Sequence, residues 1–250
     1  MPTEYKEIIN LLKKYIESKK ILDYELTKEK DEPMLWKCEI TFACREPVNP
    51  KTELKTFFYL NFSDKKYENN GKISVFNIFE TNSSFEFFLK EQICSREKGE
   101  LTELRTLGIS KKIKRVTPNL KVLSVKRSNE YTDITKKIDL HFSMHYRYEG
   151  EYTSFKGTHI FTTPIQVKSS EKYQDLHKKK NPAIPSIVVT KFMSEEEIKN
   201  KLCVLLSNYA TFTIMQLYLE ELRKSKKRDE KNITMMEKSI HDYMMSHLHL

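Results

Sequence analysis

The chain has 250 residues, 38% of them hydrophobic, and carries 44 Lys plus Arg against 35 Asp plus Glu, a formal charge of +9. With 14 Phe and 13 Tyr it is too apolar for a disordered chain. With 5 Gly and 8 Pro it has neither a collagen-like nor a linker-like composition, and little glycine for phosphate-cradling loops.

The opening residues show no unbroken apolar core and no small-residue cleavage site, so no secretory signal is expected. No run of about 18 apolar residues occurs, and no membrane span or membrane partner is expected. Cys38, Cys44, Cys94 and Cys203 form no Cys-x-x-Cys pair. Cys38 and Cys44 would lie roughly 20 Å apart along an extended run, too far for a disulfide or a shared metal. Reduced thiols in a cytoplasmic or nuclear protein are the expectation.

In chain order, Tyr5, Ile8, Ile9, Leu12 and Ile16 recur at helical spacing after Pro2-Thr3-Glu4, predicting a helix over Tyr5–Lys19. The period then becomes two. Leu22, Tyr24 and Leu26 predict one strand, and Trp36, Cys38, Ile40 and Phe42 a second. Apolar runs at Thr56–Phe62 and Lys72–Phe79 read as two more strands, joined through SDKKYENNG as a hairpin loop. Asn82-Ser83-Ser84 predicts the cap of a short helix, Phe85–Ile93.

The clearest alternation runs from Lys137 to Tyr148. Ile138, Leu140, Phe142, Met144, Tyr146 and Tyr148 occupy one face, and Asp139, His141, Ser143, His145 and Arg147 share the other. A two-residue turn at Glu149-Gly150 would make a hairpin with Tyr152–Phe161, setting Met144 opposite Phe155 and Phe142 opposite Gly157. EKYQDLHKKKNPAIP reads as an exposed connector and Ile187–Phe192 as a further strand. Ser194 followed by three glutamates opens a helix that continues to Arg228, apolar around much of its circumference. A Met-rich helix, Ile233–Leu248, closes the chain.

The expected fold is therefore α+β, with about eight strands of antiparallel sheet, an N-terminal helix and two long C-terminal helices. Residues 1–192 form the expected core, and residues 193–250 a helical segment packing on that core and on a partner.

Little here suggests catalysis. His141 and His145 sit on a strand, where four residues separate them by roughly 13 Å, too far to share one metal. With Asp139 they mark a polar sheet face, and a hydrolase or nuclease there is the remotest reading. Glu-x-Lys fragments at Glu4 and Glu197 fall on helices, where capping and solubility account for them. Phosphate-loop, dinucleotide-loop, nucleophile-elbow and zinc-helix motifs are all missing from the sequence. No catalytic residue, cofactor or metal is expected.

Basic tracts carry more information. Ser110–Ser128 holds Lys111, Lys112, Lys114, Arg115, Lys121, Lys126 and Arg127 with no acidic residue, and Lys178, Lys179 and Lys180 form another cluster. Such groups neutralise phosphates and give salt-sensitive nucleic-acid binding. The surplus apolar circumference of the C-terminal helices, at Leu206, Ile214, Leu217, Met235, Met236, Ile240, Tyr243 and Met244, points to a protein partner.

The first 42 residues resemble the opening of a double-stranded-RNA-binding domain, through the helix Tyr5–Lys19, Tyr24 in a first strand and Trp36-Lys37-Cys38-Glu39-Ile40 in a second. That family's lysine-rich start to its second helix has no counterpart, because Phe85, Phe87 and Phe88 stand there instead. Its phosphate grip is not carried over. The sequence thus leads to a non-enzymatic basic subunit of a larger assembly, contacting nucleic acid and a protein. A pure protein-assembly subunit is the alternative.

Overall fold

The computed structural model describes residues 3–43, 53–67, 74–79, 84–127, 139–225 and 229–250. The chain divides into two compact units, Met1–Leu101 and Thr102–Leu250. It is α+β, but both sheets are mixed rather than purely antiparallel.

In the first unit, α1 (Thr3–Glu17) precedes a sheet ordered β1 (Asp23–Lys28), β2 (Leu35–Ala43), β3 (Glu53–Asn61) and β4 (Val75–Asn77). Period-two side chains Cys38, Ile40 and Phe42 of β2 join Leu54, Phe58 and Leu60 of β3 in one core. Ile8, Leu12 and Tyr15 of α1 close it from the helical side. Burial pushes the Cys38 thiol up to about 12, which makes it inert at neutral pH. Cys94 and Cys203 are also free thiols, and Cys44 lies outside the described residues.

The expected hairpin between β3 and β4 is not formed, because the two strands pair in parallel, Tyr59 with Val75 and Asn61 with Asn77. Buried Asn61 accounts for the arrangement. Its amide nitrogen donates to Asn77 Oδ1 at 2.8 Å and to the Lys65 carbonyl at 2.7 Å. Its oxygen accepts from the Ser63 amide at 3.0 Å and from the Ser63 hydroxyl at 2.7 Å. A buried amide is tolerated when its hydrogen-bonding capacity is met, and here the loop after β3 curls back to meet it.

Helix α2 (Phe85–Ser110) is far longer than the Phe85–Ile93 expected. Ser84 caps it, its hydroxyl accepting from the Phe87 amide at 3.2 Å. The reason for the underestimate lies in its stripe. Phe85, Leu89 and Ile93 enter the first unit's core, whereas Ile109 enters the second's, so no single apolar face runs the length of the helix.

The second unit's sheet is ordered β5 (Arg115–Thr117), β6 (Leu120–Arg127), β7 (Leu140–Tyr148), β8 (Gly157–Lys168) and β9 (Ser186–Val188). The first four strands are antiparallel, and α3 (Glu171–Lys180) carries the chain from β8 to a parallel β9. The predicted connector therefore contains a helix.

The β7–β8 hairpin is present, with Leu140, Phe142 and Met144 fully buried, while Lys137 and Ile138 lie outside the described residues. Its register differs from the expected one. Met144 faces Phe161 rather than Phe155, and Phe142 faces Thr163 rather than Gly157. A longer connection replaces the two-residue turn. The Tyr148 ring stacks on Tyr152, which stacks on Tyr218 at 4.4 Å, and the Tyr148 hydroxyl accepts from the Tyr152 amide at 3.1 Å. A 3-10 turn at Thr153–Phe155 follows, and the strand starts at Gly157, whose φ of 132° suits glycine. An even slip leaves every side chain on its expected face.

Helix α4 (Glu195–Lys224) begins with a reciprocal capping box, Glu197 N–H to Ser194 Oγ at 3.2 Å and Ser194 N–H to the Glu197 carboxylate at 2.6 Å. Ile198, Leu202, Leu205, Leu206 and Ala210 pack on the sheet with Phe142, Met144 and Ile165. Phe212, Met215 and Leu219 pack instead on Ile233, Met236 and Ile240 of α5 (Glu230–His247). The boundary expected at residues 192 and 193 thus falls inside this unit, where α4 and the sheet share a core. Among the described residues α4 alone is long and apolar enough to cross a bilayer by length and composition, and these contacts place much of its apolar surface inside the protein.

Beyond α5 the chain runs beside β9. The Ser186 amide donates to Leu248 O at 2.9 Å and the Val188 amide to Leu250 O at 2.7 Å. His249 fastens this segment. Its Nε2 lies 3.0 Å from the Pro182 carbonyl and its Nδ1 2.8 Å from Ser186 Oγ. A carbonyl only accepts, so Nε2 carries the proton and Nδ1 accepts from Ser186.

Burial lowers the His249 pKa from 6.5 to about 4, with His177 and Lys178 adding repulsion. The unfolded chain then binds more protons between those values, so the stability it contributes is full above pH 6.5 and lost as pH falls toward 4. Thermal unfolding followed across that window should show a falling melting temperature. The fall should be smaller in His249→Gln.

Candidate nucleic-acid interface

One face of the second sheet is covered by α4; on the other, α3 lies beside β8 and β9, where Gln166, Ser186 and Val188 are buried, while the described side chains toward β5–β7 and the start of β8 are exposed or half-buried. Residues opposite one another in neighbouring strands share a face, so the register assigns each polar side chain. Arg115 pairs with Lys121, Lys121 with His145, and His145 with Ile160, giving one row across β5–β8. Ser124, Ser143 and Thr162 form a second row, and Lys126, His141 and Pro164 a third. All three rows lie opposite the face of Phe142 and Met144. Arg115, Lys121, Ser124 and Lys126 are exposed, while His141, Ser143 and His145 are half-buried. None of these positions is a carboxylate.

An irregularity between Val122 and Ser124 makes this assembly possible. In uninterrupted alternation Lys121 would share a face with Leu123, Val125 and Arg127, and Lys126 would lie opposite. One extra residue resets the phase, so Lys121 and Lys126 project together and Leu123 is left 55% exposed.

The same reset sends Arg127 to the helical side, opposite Leu140, where its guanidinium pairs with Glu103 of α2 at 2.9 Å. Arg127 therefore belongs to the packing of the unit rather than to the open face. Lys111, Lys112 and Lys114 lie in the exposed segment between α2 and β5, and Lys112 is paired with Glu195 at 2.7 Å. Lys178, Lys179 and Lys180 occupy the last turn of α3, where positive charge complements the helix dipole. The structure thus gathers Arg115, Lys121 and Lys126 of the predicted set on one face, and disperses the others.

Arg147, the next outward residue on β7, is joined to Glu149 at 2.8 Å. Asp139 serves the hairpin, its carboxylate accepting from the Val167 amide at 2.7 Å. Among the described residues no group of three His, Cys, Asp or Glu side chains is arranged to hold a metal.

The residues assigned to a protein partner also separate. Leu206, Ile214, Met236 and Ile240 are buried in the chain's own interior. Leu217, Tyr243 and Met244 are half-buried, and Met235 is 59% exposed. Sequence reading missed Ser124, Thr162 and Ile160 as members of the open face. The outward set of β7 was visible as alternation, but its alignment with β6 and β8 depended on an extra residue and a long loop that alternation does not encode. The chain matches no protein-family model, no curated protein and no solved structure.

Proposed function

We propose that the protein is a non-enzymatic nucleic-acid-binding subunit, holding phosphates on the open face of its second sheet. The supporting observation is the convergence of Arg115, Lys121 and Lys126, all exposed, on one face of β5–β6 without a carboxylate at the intervening strand positions. Cations so placed release counterions when they meet a phosphate backbone, which makes binding steeply salt-dependent.

The test is a salt titration of binding by fluorescence anisotropy, using labelled oligouridylate and the intact protein. Replacing Arg115, Lys121 and Lys126 with Ser should weaken binding and lower the log–log salt slope by about 2, since each lost phosphate contact on a single strand counts about 0.7. Replacing Lys178–Lys180 should change neither quantity much. An unchanged slope in the sheet variant would remove the proposal. A protein partner is part of the same proposal, with Met235 as its exposed contact on α5.

A further inference from the structure

We infer that the nucleic acid held on this face is single-stranded, with unpaired bases lying on the side chains between the cations. The inference rests on the binding function just proposed and names its substrate class.

Two large, exposed aliphatic side chains, in addition to the half-buried Pro164, interrupt an otherwise polar surface. Ile160 is 68% exposed at the end of the Arg115–Lys121–His145 row, and Leu123 is 55% exposed where β6 gains its extra residue. Ile160 sits on β8 directly opposite His145, so an apolar group and a flat imidazole adjoin on the same side of the sheet. His141 repeats the ring two rows further along, roughly 13 Å away at strand rise.

Between the two histidine rows stands the uncharged row Ser124–Ser143–Thr162, which offers hydroxyls. The face therefore alternates along β7 between cation-bearing rows and a hydroxyl row, with ring and aliphatic surface beside one of the cations.

A duplex would use only part of this chemistry. Its bases are stacked and paired, it presents phosphates to a flat sheet, and side chains reach base edges only from an element that enters a groove. Against a duplex Ile160 and Leu123 would face charged backbone, leaving their apolar surface without a complementary contact. A single strand presents both halves of the match: phosphates for Arg115, Lys121 and Lys126, and unstacked bases for His145, Ile160 and Leu123. Bases splayed on a sheet with cations at its margins are a general mode of single-strand binding.

The experiment compares labelled oligouridylate, oligothymidylate and a blunt duplex of equal length on the intact protein. Single strands should bind at least about tenfold more tightly than the duplex, a factor within the range of one base-stacking contact. Ile160→Ser and His145→Ala, both on this face, should each weaken single-strand binding several-fold while leaving the salt slope and the melting temperature unchanged. With oligodeoxyuridylate as a further probe, which differs from oligouridylate only in the 2′-hydroxyl, a preference for oligouridylate would assign the hydroxyl row to the ribose, and equal affinity would assign the site to single strands of either sugar.

Duplex binding as tight as single-strand binding, or Ile160→Ser and His145→Ala that bind as the parent does, would overturn the inference. In either case a slope that still falls on replacing the cations would preserve the phosphate-binding function. No binding of any nucleic acid at low salt would overturn both. If polyglutamate is held instead, and released by the same cation variants, the face belongs to an acidic protein.

Discussion

Phe142→Asp is expected to unfold the second unit, whereas Ser143→Asp, one residue away, should leave it folded and stop it binding nucleic acid. Phe142 is fully buried among Met144, Ile165, Leu202 and Leu205. Truncating a buried Phe alone costs about 3–5 kcal/mol, and an unpaired carboxylate adds a desolvation penalty. Together these approach the whole stability of an ordinary domain, about 5–15 kcal/mol.

Ser143 lies on the opposite side of the same strand, between Ser124 and Thr162 and flanked along β7 by His141 and His145. A carboxylate there remains hydrated, and its effect on stability should stay near about 0.5 kcal/mol. It would, however, introduce negative charge midway between the cation rows and repel phosphate. Urea melts and anisotropy on both variants separate fold from binding at neighbouring positions. Equal melting midpoints would contradict the facing of β7, and undiminished binding by Ser143→Asp would contradict the use of its outer surface.

The inward and outward faces of β7 were legible because alternation of apolar and polar residues is a local property of an extended chain. The start of α4 was legible for the same reason, since the Ser194 cap and the acidic first turn are local, although the reciprocal bond from Glu197 was not foreseen. What could not be read depended on distant partners. The hairpin register follows from a loop whose Tyr152 stacks on Tyr218 of a helix far along the chain.

The parallel pairing of β4 involves a buried Asn61 whose partners, Lys65 and Asn77, lie outside any periodic pattern. In the candidate interface, the lysines of Ser110–Ser128 were visible as residue types. Their division into an open face and a helical side was not. Lys126 and Arg127, adjacent in a strand, must take opposite faces, but it is the extra residue near Leu123 that turns Lys126 to the side of Lys121 and leaves Arg127 to pair with Glu103. The C-terminal stripe shows a similar ambiguity. Apolar circumference demands a cover but does not say whether another chain or the same one supplies it.

That last ambiguity makes removal of Asn232–Leu250 informative, and loss of the second unit's fold is the expected result. Ile233, Met236, Ile240 and Leu248 are buried, and each large apolar side chain withdrawn from water contributes about 1.5–3 kcal/mol. Their removal would also bare Phe212, Met215 and Leu219 on α4, and leave β9 as an open edge, inviting association.

The truncated protein should therefore be protease-sensitive and aggregate on size exclusion, while Met235→Asp in the full chain, at an exposed position of the same helix, should melt as the parent does. A truncated protein that stays monodisperse and cooperative would show that α5 is dispensable to the core and that its apolar face is kept for another chain. Should Met235→Asp fold normally but lose a co-purifying protein, the contact between subunits lies on the outer side of α5, and the inner stripe serves the fold alone.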